Sequence, residues 1–137
     1  MAKLTNRTIW CDHGWFPHHY GFCPSEEAWQ RTIKAIKLNQ TPYPAHDAAC
    51  NLFQNRETKL PCVLVTMNHR PRTPQVVVEL LSHEAMHIWR DIRKTTGERK
   101  PSSEFEAYAM QNILRNLMDA YQKTRGPLFL KTTRLRP

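Results

Sequence analysis

Ser82-His83-Glu84-Ala85-Met86-His87 sits inside a run from Pro74 to Thr96 that reads as one long helix, and the reading of that run decides the rest. Four residues make just over one helical turn, so His83 and His87 stack on one face within reach of a single ion. Glu84 lies beside that stripe, about 100° round the axis. The pattern is HExxH, in which two histidines hold zinc and the glutamate handles the proton of a water on the metal. With His83 at 0°, the residues Val77, Val78, Leu81, Ala85, Ile88, Trp89 and Ile92 fall in an apolar arc from about 120° to 240°. Both histidines point away from it. That facing argues against imidazoles satisfied in a core and leaves metal ligation or a solvated polar face.

Outward from this run, Thr73 is the expected N-cap and Pro74 the first helical residue. Gly97 stops the helix after Arg90, Arg93 and Lys94 have set positive charge near its C-terminal end. After Glu98-Arg99-Lys100-Pro101, Ser102 or Ser103 caps a second long helix to about Lys123. Its core face is Met110, Ile113, Leu114, Leu117, Met118 and Tyr121. The short connection makes the two helices antiparallel neighbours.

A catalytic zinc wants three protein ligands and one open position. Trp89 to Gly97 contains no third histidine, so the metzincin continuation is absent and Glu98, Glu104 and Glu106 are the candidates. Glu106 lies about 50° from the centre of its helix's apolar face and Glu104 about 110°. Ser103 and Glu106 also have capping-box spacing, which gives Glu106 a structural task. The choice stays open on spacing alone.

Upstream, Ser25 caps a helix with Glu26 and Glu27 in its first turn, running to about Asn39. Thr41-Pro42-Tyr43-Pro44 is a loop. Ala48 to Gln54 and Leu60 to Met67 read as strands joined by the polar Asn55 to Lys59 turn. The second, with Cys62-Val63-Leu64-Val65, is expected to offer its edge to an extended peptide. Cys11, His13, His18, His19 and Cys23 crowd potential ligands for a second metal into one segment. Their spacing matches no zinc finger, and Trp10, Trp15, Phe16, Tyr20 and Phe22 among them favour a packing segment. The four cysteines, irregularly spaced, are expected as reduced thiols.

A chain of 137 residues suits one domain. The expected class is α+β: a minimal domain over residues 1–123 with an N-terminal helix, a small β-hairpin or sheet, the central HExxH helix and a long C-terminal helix. A basic tail, 124–137, carries Arg125, Lys131, Arg134 and Arg136 and is expected as a disordered or contact arm. The net charge of +8 admits an anionic partner such as nucleic acid, without any helix-turn-helix, RNP or finger pattern to specify one. No secretory core appears in the first ten residues and no stretch nears the ~20 apolar residues of a membrane span, so a cytoplasmic chain without membrane contact is expected.

Three segments carry a family resemblance: HExxHxW at His83 to Trp89, the Gly97-Glu98 pair, and PSSExEAY at Pro101 to Tyr108. They resemble the gluzincin-type zincins, and in detail small phage and prophage proteins described as zinc metallopeptidases. The match covers about half the chain, with a looser echo in Tyr20-Gly21-Phe22-Cys23 and the helix after it. The resemblance implies a zincin-like domain binding Zn²⁺ through His83, His87 and Glu104, with Glu84 activating water to hydrolyse a protein or peptide, in the host cytoplasm if phage encoded. Related proteins carry Asp or Asn four residues after the ligating glutamate, where this chain has Tyr108. Asp91 and Glu79 are the expected substitutes in orienting the histidines. Tyr108, or else His69, is the expected oxyanion donor. The alternative is a non-catalytic zincin-like zinc-binding protein whose basic surface contacts nucleic acid or a phage or host protein.

Overall fold

Residues 61–67 read Pro-Cys-Val-Leu-Val-Thr-Met, apolar at nearly every position rather than at alternate ones, the pattern of a strand covered on both faces. The computed structural model, which describes residues 3–129, builds its sheet around this segment. The strands are β1 (Ile9–Trp10), β2 (His19–Cys23), β3 (Ala48–Gln54) and β4 (Pro61–Met67), and the helices α1 (Glu26–Ala35), α2 (Pro74–Thr96) and α3 (Ser103–Arg125). The order across the sheet is β1-β2-β4-β3. β2 runs parallel to β4, with His19 opposite Cys62 and Cys23 opposite Thr66. A parallel pair cannot be closed by a tight hairpin, and α1 with β3 supplies the crossover.

Alternate residues of the sheet serve two cores. Tyr20, Phe22, Val63, Val65 and Met67 face α2 and α3, where they meet Leu81, Ala85, Ile88, Trp89, Ile92, Ile113 and Leu117. Cys23 and Leu64 face α1 and pack with Ala28, Trp29 and Ile33. The result is an α+β domain with a helix on one face of the sheet and two on the other. Among the described residues no helix is long and apolar enough to cross a membrane.

Local chemistry fixes the helix ends. Ser25 accepts from the Ala28 amide, Thr73 from Val76 and Ser102 from Phe105. Gly97 ends α2 at φ 73°, and the Glu98 amide reaches back to the Arg93 carbonyl. α1 is shorter than its apolar spacing suggests. Lys37 turns left-handed at φ 61° and the Leu38 amide bonds the Ile33 carbonyl, so the chain leaves the helix after Ala35 rather than near Asn39.

Three other expectations change. Tyr20 to Cys23 is a strand as well as a packing segment, because β4 offers it a parallel partner. β4 has no free edge: β2 and β3 flank it, and the outer position beyond the hairpin belongs to β3. Part of the expected tail is folded. Thr124 and Leu128 are buried, and the Arg125 guanidinium donates to the carbonyls of Pro24, Met67 and Asn68 at the ends of two strands. Lys131, Arg134 and Arg136 lie outside the described residues.

Gly21 is where β1 crosses closest to β2, and a Cβ there would overlap the Ile9 carbonyl oxygen. Gly21→Ala is therefore expected to displace β1 and cost about 1–3 kcal/mol, read as a lower urea midpoint. An unchanged midpoint would show that β1 yields freely.

Candidate metal centre

The polar side of α2 faces a cleft, and β3 forms its other wall. Ala48, Ala49, Cys50, Leu52 and Val63 line it from the sheet, and His83, Glu84, His87, Ile88 and Asp91 line it from α2, around a volume of about 380 Å³. His83 and His87 are exposed, one turn apart, with their Nε2 atoms 3.1 Å from each other. Two nitrogens at ~2.05 Å from one tetrahedral ion are separated by about 3.3 Å, so the pair has the chord that a shared zinc demands. The same separation suits an N–H···N hydrogen bond between neutral rings. Either way, the imidazoles converge.

Glu84 is buried, only 4% exposed, yet borders the same cleft. Burial pushes its carboxyl above the usual carboxylate range, and the neighbouring His83 and His87 pull it partly back. A carboxyl that holds its proton more readily than free glutamate suits a group that must accept a proton and return it.

The rest of the expected ligand set is not gathered. Among the described residues no three His, Cys, Asp or Glu side chains stand close enough to hold one ion together. Glu106 is occupied elsewhere: its Oε2 accepts from Trp89 Nε1 at 2.8 Å and pairs with Arg93 Nη1 at 3.4 Å. The cap itself is Ser102, so the capping box expected for Ser103 and Glu106 does not form. Glu104, by contrast, is exposed in the first turn of α3 and takes no hydrogen-bond partner among the described residues. Tyr108 is 67% exposed on the same helix. His69 is not part of the cleft lining and lies beside Tyr43 and Arg125.

Asp91 borders the cleft one turn beyond His87, but its Oδ2 is 2.5 Å from Nε2 of His18, which is fully buried. It thus ties α2 to the start of β2 and makes no hydrogen bond to His83 or His87 among the described residues. Glu79 instead meets Gln75. The N-terminal Cys/His set also disperses. His13 meets His19 with the rings tilted by 39°, Cys11 packs against the main core and Cys23 belongs to the α1 core. All four cysteines are free thiols.

The free edge of the sheet on this side belongs to β3, not to β4 as the sequence suggests. The Asn55 amide bonds the Leu60 carbonyl and the Asn68 amide the Asp47 carbonyl, which fixes the odd-numbered residues of β3 as those bonded to β4. The backbone N–H and C=O groups of Ala48, Cys50, Leu52 and Gln54 therefore point outward, along the cleft. The available signal was the continuous apolar run of β4, which marks an interior strand, against the mixed composition of β3.

Set against models of protein families, curated proteins and solved structures, the chain has no significant match.

Two outcomes test the site as described. Glu106→Ala removes the acceptor of a buried indole N–H and is expected to cost about 1–3 kcal/mol by chemical denaturation, whereas Glu104→Ala should change stability by less than about 0.5 kcal/mol. Equal effects would contradict the assignment of Glu106 to packing. Burial, helped by Glu84 and Asp91, pushes the Cys50 thiol up to about 12. At pH 8 roughly one thiol in ten thousand is then ionised, so iodoacetamide should spare Cys50 in the native chain and modify it after denaturation. Rapid native alkylation would refute that environment.

Proposed function

We propose that this chain is a zinc-dependent hydrolase of peptide bonds, with His83 and His87 holding the ion, Glu104 completing the set and Glu84 as general base. The observation that carries the reading is the convergence of two imidazole nitrogens, 3.1 Å apart, in a cleft that also holds a buried glutamate. Retention of Glu84 beside the pair favours chemistry over a purely structural ion, which needs no base. Glu104 is preferred over Glu106 because its carboxylate is uncommitted, while Glu106 already serves Trp89 and Arg93.

The chain's own groups divide the work. When bound, zinc supplies Lewis acidity, polarising a carbonyl and lowering the pKa of water toward ~7. Glu84 accepts the proton of the attacking water on a carboxylate oxygen and delivers it to the leaving amine nitrogen. The outward N–H and C=O groups of Ala48, Cys50, Leu52 and Gln54 offer a substrate backbone a ladder to join, in place of the β4 edge expected from sequence. Tyr108, exposed on α3, is the residue proposed to donate to the developing oxyanion.

One observation favours a second reading, a zinc-binding protein without hydrolysis: the carboxylate that would complete the set does not stand with the histidines. On that reading Arg90, Arg93, Lys94 and Arg99, which share a surface depression at the end of α2, contact nucleic acid or a protein partner.

Metal analysis after zinc loading and dialysis separates the two. About one zinc per chain is expected in wild type and in Glu84→Gln, and little in His83→Ala or His87→Ala. Hydrolysis of denatured casein should fall by about 10²–10⁴ in Glu84→Gln. Zinc retained in both with hydrolysis in neither supports the binder, and no zinc in wild type sinks both readings.

A further inference from the structure

The cleft does not end at the histidines. A second depression of about 640 Å³, lined by Leu52, Phe53, Gln54, Lys59, Pro61, Asp91, Lys94 and Thr95, shares Leu52 and Asp91 with the first. The two therefore adjoin along the outer edge of β3, and a ligand extended along that edge would span both. One end holds Ala48, Cys50, His83 and His87, and the other holds Gln54, Lys59 and Lys94.

The far end is net positive. Asp91, its single acid, bonds His18 and stands against two lysines. The Lys59 and Lys94 side chains are exposed, and neither has a carboxylate within ion-pair distance among the described residues. The Gln54 side-chain Nε2 donates to the Lys59 carbonyl, so the two cations are the side chains there suited to meet an anionic group. Leu52, 54% exposed between the two ends, adds an apolar step.

We infer that the far end of the groove is a subsite for an acidic side chain on an extended peptide, recognised by Lys59 and Lys94. This rests on the reading of the histidine end as the reacting centre. From the middle of the His83–His87 pair to Lys94 is nine residues of helix, about 13 Å, or about four residues of extended chain. β3 runs from the histidine end toward Lys59, so a peptide added antiparallel, the more stable ladder, enters with its N-terminal side at the lysines. The acid accordingly stands about four residues before the bond that is cut.

The test uses the full chain and fluorescent decapeptides of neutral residues carrying a single Glu, or Gln as control. Binding is measured by anisotropy with Glu84→Gln protein, which keeps the groove without turnover, and cleavage by mass spectrometry with zinc-loaded wild type. The Glu peptide should bind about three- to tenfold tighter than the Gln peptide, with the advantage fading as salt rises. Its cut should fall about four residues beyond the Glu. Charge reversal, Lys59→Glu with Lys94→Glu, should turn the preference to Lys-bearing peptides, and Lys59→Arg with Lys94→Arg should keep it.

Equal binding of Glu and Gln peptides, or a preference untouched by charge reversal, overturns the subsite whether or not cleavage occurs. Charge-dependent binding without any cleavage supports the subsite and counts against the hydrolase reading alone.

Discussion

One helix has to satisfy two neighbourhoods at once, and everything else in the molecule follows from how α2 manages it. Its period of 3.6 residues gives a core arc to Val77, Leu81, Ala85, Ile88 and Ile92, all essentially buried, and an opposite arc to His83 and His87. Glu84 sits at the seam between them. It is buried because the core begins there, and it reaches the cleft because the histidines begin there. A one-residue insertion inside His83 to His87 would rotate the second imidazole by about 100° and separate the pair.

The sheet then decides what the histidines face. β4 is paired on both edges and covered on both faces, so it carries the core and cannot accept a further strand. β3 is fixed on one side by β4 and left open on the other, and α2 lies along that open side. Two long-range contacts hold this arrangement. His18 and Asp91, 73 residues apart, fasten β2 to the later part of α2. Arg125 fastens the end of α3 to the strand ends through the Pro24 and Met67 carbonyls. Charge-assisted hydrogen bonds of this kind contribute about 1.5–3 kcal/mol each, enough to matter in a domain of this size.

What was legible in the sequence was local. The bounds of α2 at Pro74 and Thr96, its Thr73 cap and its Gly97 stop follow from side chains within a turn of each end. So do the Ser25 cap and the β3–β4 hairpin, whose turn residues lie between its strands. The misses are pairings set by distant partners. His19–Cys23 holds only five residues, and its strand character depends on β4, some forty residues later. Arg125 reads as a tail cation until the strand ends it serves are seen. At the site, the spacing of His83, Glu84 and His87 anticipated their convergence, because a helix fixes it. No local rule tells Glu104 from Glu106; the distinction rests on the Trp89 indole and the Arg93 guanidinium, which claim Glu106 across the helix pair.

A groove with one backbone wall constrains its own ligand. Among the described residues the cleft has β3 on one side and α2 beneath, with no second strand or lid to enclose a folded or compact ligand. On the proposed reading, affinity comes from outward amides and carbonyls at every second residue of β3, the Leu52 side chain, and Lys59 and Lys94 beyond its far end. Those groups reward a ligand that is already extended. A compact one would first have to give up its own folding free energy before its main chain could reach the edge, and either kind then loses about 1–2 kcal/mol of backbone order per residue fixed. On the proposed hydrolase reading, selection for unstructured segments is thus a property of the missing wall rather than of any one side chain.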